Sequence, residues 1–99
     1  VLGGGERPDA SGVALVGTAL SARDVRDVGE LADPARRAAC LTAVAPRIDP
    51  AAPLLGGRRV RYDGTPAVLL LLGTGRRGTF TVAVVDDSCR RLLVLRTVP

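Results

Sequence analysis

Ala67-Val68-Leu69-Leu70-Leu71-Leu72 is the longest apolar run in this 99-residue chain. It is far too short to span a bilayer as a helix. It is apolar in both alternations, so as a strand it needs cover on both faces and belongs in the middle of a sheet. The residues around it read as its neighbours. Val60 and Tyr62 share one strand face, with Arg59 and Arg61 on the other, and Asp63-Gly64 is a hairpin turn signal. Gly73 to Gly78 reads as a loop. Phe80, Val82 and Val84 then line one face of the next strand, opposite Thr79 and Thr81. Asp86 to Cys89 turns the chain, and Leu92 to Val98 makes the last strand. Tight turns between strands mean antiparallel neighbours.

The first half reads differently. Residues 1–11, with Gly3-Gly4-Gly5 and Pro8, read as a flexible linker, and residues 12–99 as a single domain. Gly12 to Thr18 reads as a short strand. Ser21 and Asp24 form a shortened capping box, with Leu20 and Val25 at the staple positions. Val25, Val28 and Leu31 then recur at helical spacing. Asp33-Pro34 starts a second helix over Ala35 to Ala45, ended by Pro46, Pro50 and Pro53. The expected fold is α+β: a small two-layer domain whose antiparallel sheet of about four to five strands carries two helices on one face.

In that arrangement Leu69, Leu71, Leu93 and Leu95 lie opposite Val68, Leu70, Leu72, Leu92 and Val94. Two short helices on one side leave the other apolar face to be covered. Either the first strand, the linker or the proline loop covers it, or it is a homodimer or partner surface.

Composition removes most chemistries. The chain has no His, Lys or Met. Without His there is no Ser-His-Asp triad and no ordinary zinc site, and without Lys no Ser-Lys pair. Gly73 to Gly78 lacks the Lys-Ser/Thr of a phosphate-binding loop and leads into a strand. Asp86-Asp87 reads as a solvated turn, since carboxylate catalysis needs two separated, tuned groups. We expect no enzyme and no cofactor. The net charge is +4, all of its basic residues arginine, as a GC-rich coding bias would produce. Arg58, Arg59, Arg61, Arg76, Arg77, Arg90 and Arg91 could form a basic surface. With one Tyr and one Phe the stacking platforms of nucleic-acid binding are missing, so we expect no nucleic acid. The chain opens at Val1 without a Met, which we take as a piece of a longer protein.

Cys40 and Cys89 are the only cysteines. One falls in the second helix and one before the last strand, where helix and sheet could meet. A disulfide is the favoured reading and implies an oxidising compartment. Two free buried thiols are the alternative, and a redox-switching pair lacks a CxxC motif.

Several of these pieces occur in a familiar order. Cys40-Leu41-Thr42-Ala43 precedes a proline-rich loop. Pro53-Leu54-Leu55-Gly56-Gly57-Arg58-Arg59-Val60-Arg61-Tyr62-Asp63-Gly64-Thr65-Pro66-Ala67-Val68-Leu69 follows, and Val84-Val85-Asp86-Asp87-Ser88-Cys89 closes the pattern. Over about 60 residues this resembles the extracytoplasmic C-terminal domain of actinobacterial anti-sigma-M factors; the first 35 residues match only loosely.

The resemblance implies a membrane-anchored parent. Its cytoplasmic part, absent here, would bind an extracytoplasmic-function sigma factor. Its transmembrane helix is also absent, and a site-specific protease would release the sigma factor. The domain itself would be a sensory or regulatory piece outside the membrane. The alternative is a secreted or membrane-anchored binding module without catalytic activity. Candidate site residues are the disulfide, Cys40 and Cys89, and an interaction surface of Arg58, Arg59, Arg61, Leu69, Leu71, Leu93 and Leu95.

Overall fold

A computed structural model describes residues 7–98. The expected linker at residues 1–6 lies outside them. Helix α1 (Ala14–Ser21) comes first, then a two-residue strand β1 (Arg26–Asp27), a 3-10 turn (Gly29–Ala32) and helix α2 (Pro34–Val44). Strands β2 (Leu54–Tyr62), β3 (Thr65–Gly73), β4 (Phe80–Asp86) and β5 (Leu92–Val98) complete the chain. The sheet has five strands in the order β1-β2-β3-β4-β5.

The expected strands of the second half form as read. The apolar run is β3, the central strand, and Ala67 to Leu72 are all buried. Asp63 and Gly64 both have positive φ, 50° and 79°, as a two-residue hairpin turn with the right twist requires. The turn sets Tyr62 opposite Thr65. Alternation along β3 divides the interior in two. Val68, Leu70 and Leu72 belong to one core with Ala83 and Val85, and Ala67, Leu69 and Leu71 to the other with Val60, Val82 and Val84.

The helices do not share a face. Cys40 and Leu41 of α2 pack in the first core, and Leu15 and Ala19 of α1 in the second. The fold is α+β, with the sheet between two helical layers rather than beneath one. A strand apolar on both faces is thereby covered on both.

Two of the first-half expectations fail, and for one reason. Gly12 to Thr18 is not a strand; most of it is α1. Its alternation matches period two, but Leu15, Ala19 and Ala22 also recur at i, i+4 and i+7, and all are buried against the sheet. Tertiary burial outweighs the strand propensity of the valines. Ser21 then ends a helix instead of starting one, and its hydroxyl donates to Thr18 O at 2.7 Å. Asp24 has φ +63°, a left-handed conformation that cannot continue a helix. The chain extends into β1, which runs parallel to β2, so the sheet is mixed and not purely antiparallel. Val28 and Leu31 reach the core from β1's far end and the 3-10 turn.

Gly56 and Gly57 make this docking feasible. A Cβ on Gly57 would stand 2.6 Å from Leu69 O and 2.6 Å from Val28 Cγ1, and one on Gly56 2.9 Å from Asp24 N. Only glycine lets the segment before β1 come this close, and Gly57 N then donates to Val25 O at 2.7 Å.

Helix α2 follows its sequence signals. Pro34 stands at its start, and Asp33 O accepts the first helical N–H, from Arg37, at 2.9 Å. Arg37 is buried and its guanidinium donates to Leu31 O and Ala32 O, tying α2 to the 3-10 turn.

Candidate functional site

Cys40 and Cys89 form the expected disulfide, with Cα atoms 5.8 Å apart across 49 residues of sequence. Cys40 is buried in α2 and Cys89 is half-buried in the β4–β5 turn. The bond joins the helix on one face to the far end of the sheet that it covers. Cys89 has φ +53°, and its N–H donates to Asp86 O at 2.9 Å.

Asp86 organises this turn. Its carboxylate accepts from Arg90 N at 2.6 Å, Arg91 N at 2.9 Å and Ser88 Oγ at 2.9 Å. Burial pushes the carboxyl up, but the N–H groups of Arg91 and Arg90 and the Ser88 hydroxyl together hold it below the usual carboxylate range. A carboxyl with a depressed folded-state pKa contributes stability that is present above its unfolded pKa and lost as pH falls through the folded value. The window is therefore the acid side of about pH 4. On acidification from about pH 5 to about pH 3, the urea midpoint of the chain should fall further than that of Asp86→Asn. Equal falls would show that the turn carboxylate is not linked to folding.

Asp87, next to it, is not merely solvated. Arg7 Nη1 donates to Asp87 Oδ1 at 2.9 Å and Nη2 to Oδ2 at 3.0 Å, a two-pronged pair. Arg7 Nη1 also donates to Ala67 O at 3.2 Å. Just beyond, Arg61 N donates to Pro8 O at 2.9 Å and Ala10 N to Arg61 O at 2.7 Å. Ala10 is fully buried. The described part of the expected linker, residues 7–11, thus lies along β2 instead of hanging free. Its backbone partners explain why: the end of β2 offers Arg61 N–H and C=O with no other strand beside them.

The expected interaction surface does not survive as one patch. Leu69 and Leu71 are buried beneath α1, with relative exposures of 0% and 1%. Leu93 is half-buried in the same core. Leu95 is exposed, but on the opposite face, opposite Ala83. The cause is a register shift between Val84 and Val85, which breaks the alternation that grouped the four leucines. Arg59 and Arg61 stand exposed on the α2 side, and Arg59 Nε lies 3.6 Å from Asp27 Oδ1. Arg58 is half-buried on the α1 side, opposite Leu69, and its Nε has no hydrogen-bond partner among the described residues.

One open cleft of about 610 Å³ lies between the proline-rich loop, the β3–β4 loop and β5. Arg47, Leu72, Arg76 and Leu95 are among the residues that line it. Its one carboxylate, Asp49, accepts from Ala51 N at 2.9 Å. The cleft offers no facing acid–base couple of the kind that carboxylate catalysis uses. Among the described residues, no group of three or more His, Cys, Asp or Glu side chains could hold a metal ion. No helix among them is long and apolar enough to cross a membrane.

Residues 6–97 match the family described as the anti-sigma factor RsmA, C-terminal extracellular domain. No curated protein and no solved structure matches the chain. The match runs through both cysteines, both helices and nearly all of the sheet. An extracellular position is also where a disulfide between helix and sheet persists. This chain therefore belongs to the family of C-terminal extracellular domains of the anti-sigma factor RsmA, a family of regulatory domains.

Proposed function

We propose that this chain is the outer, signal-receiving domain of a membrane-anchored anti-sigma factor of the actinobacterial anti-sigma-M type. In this reading the extracellular domain comprises residues 12–99 together with residues 7–11, which pack along β2. The cytoplasmic part of the parent, outside this chain, binds an extracytoplasmic-function sigma factor. A site-specific protease acting on the parent releases that factor. The family match across residues 6–97 carries the proposal. The disulfide-closed, two-faced core supports it, because such a fold keeps its shape outside the cell.

Co-purification tests the division of labour. Full-length parent should retain an extracytoplasmic-function sigma factor expressed with it, and this chain alone should not. A sigma factor held by the isolated chain as tightly as by the parent would contradict the proposal.

A further inference from the structure

Helix α1 is apolar on both of its sides. Leu15, Ala19 and the adjoining Ala22 face the sheet and are buried. Val13, Val16, Gly17 and Leu20 recur at i, i+3, i+4 and i+7 on the outer side. Val13 is fully exposed, Val16 42% and Leu20 48% exposed. No charged residue occurs from Gly12 to Ala22. A helix apolar all round normally has its second side covered as well. The stripe has a notch at its centre, because a Cβ on Gly17 would meet nothing within 4 Å. Beside it, a shallow apolar dimple, too small to admit a water molecule, lies between Val16 and Leu20 on α1 and Phe80 and Val98 on the sheet.

Charged groups stand on both flanks of this helix, with Asp9 exposed and Arg58 half-buried on the β2 side and Arg96 exposed on the β5 side. On the β2 side, Thr18 Oγ1 donates to Asp9 O at 2.5 Å, which holds Asp9 beside the helix. The Asp9 carboxylate is exposed and accepts from Ser11 N at 3.0 Å and Ser11 Oγ at 2.5 Å. On the β5 side stands Arg96, exposed and lining the depression.

We propose that α1 is the contact of a homodimer, in which two copies pack α1 against α1 in parallel about a two-fold axis running along the helices. Charge selects both the partner and the arrangement. A net charge of +4 opposes self-association at long range, least where the contact is uncharged, so the pairing rests on the flanking charges. An axis along the helices sets Asp9 of each copy against Arg96 of the other, whereas an axis across them sets acid against acid and base against base. The Gly17 notch lets the two helix backbones come close. A bilayer suits the stripe less well. Helices that lie in a membrane interface carry Lys or Arg along their own polar face, and α1 carries none between Gly12 and Ala22.

Sedimentation equilibrium of this chain over micromolar to millimolar concentrations reads the result. The expected outcome is a reversible monomer–dimer equilibrium of the 10.2 kDa chain. Leu20→Glu, at an exposed position, should weaken it at least about tenfold without moving the melting temperature. Arg96→Asp should weaken it too, and adding Asp9→Arg to that variant should restore dimerisation. A single 10.2 kDa species at every concentration would overturn the proposal. So would a dimer indifferent to Leu20→Glu, or a charge swap that fails to restore association. Binding of the unmodified chain to phosphatidylglycerol vesicles, abolished by Leu20→Glu, would assign the stripe to a lipid surface and overturn it as well.

Discussion

Replacing Cys89 by Ser is expected to lower the melting temperature of this chain by roughly 15–30 °C. The Cys40–Cys89 bond closes a separation of 49 residues. In the loop-entropy description, losing such a crosslink costs about 4 kcal/mol, because the unfolded chain regains the freedom that the bond removed. A domain of this size has a total stability of only about 5–15 kcal/mol, so the loss is a large share of it. For a domain near 100 residues each kcal/mol moves the midpoint by about 4–8 °C. The mechanism makes two further demands. Cys40→Ser should cost as much as Cys89→Ser, and the double variant little more than either, since all three remove one bond. Circular dichroism melts without reductant check this, and melting the unsubstituted chain in dithiothreitol should reproduce the variants. A midpoint that stays within a few degrees in all of them would mean that the bond does not hold the fold together.

Leu41→Ala is expected to cost about 2–5 kcal/mol. Leu41 is wholly buried, next in sequence to Cys40, in the core that also holds Leu70, Leu72 and Ala83. Truncating it removes apolar contact between α2 and the sheet and leaves a void that a helix anchored at Cys40 cannot readily close. The disulfide and Leu41 hold the same helix to the same face, so their losses should not add. Leu55 is the control. It is exposed on β2, where the shift between Leu54 and Gly56 turns it outward. Leu55→Ala should stay within about 0.5 kcal/mol. Urea midpoints at fixed pH separate the two cases, and a Leu41→Ala midpoint equal to that of Leu55→Ala would contradict the packing described for α2.

The second half of the chain was legible in the sequence because its signals are local. Asp63-Gly64 dictates a hairpin through its own backbone preferences, and Ala67 to Leu72 announces a central strand through its composition. Asp33-Pro34 likewise marks the start of α2. The first half was not legible, because its structure is decided by what it packs against. Val13 to Leu20 fits two periods, and only the uncovered face formed by Leu69 and Leu71 makes the helical one win. Strand β1 has two residues and no pattern of its own; it exists because Gly56 and Gly57 leave room beside β2. Ser21 was misjudged as well: it is a good cap residue, but it stands at the end of a helix.

The candidate site divides in the same way. The cysteine pair could be read from its positions in a helix and a turn. The leucine surface could not, because a single shift between Val84 and Val85 moves Leu95 to the other face; of the two expected covers, it is the segment read as the first strand, folded as α1, that lies over Leu69 and Leu71. Arg7 gave no signal at all. Its grip on Asp87 spans 80 residues of sequence and appears only once β2, β3 and β4 are paired.

Labelling of the full-length parent in intact cells tests the central claim most directly, since it reads compartment and crosslink together. Cys89 is half-buried and can be reached once the bond is opened. A membrane-impermeant maleimide should fail to label Cys40 or Cys89 in untreated cells. It should label them after an impermeant reductant, with no lysis. Labelling without reductant would contradict the disulfide, and labelling only after lysis would contradict an extracellular domain.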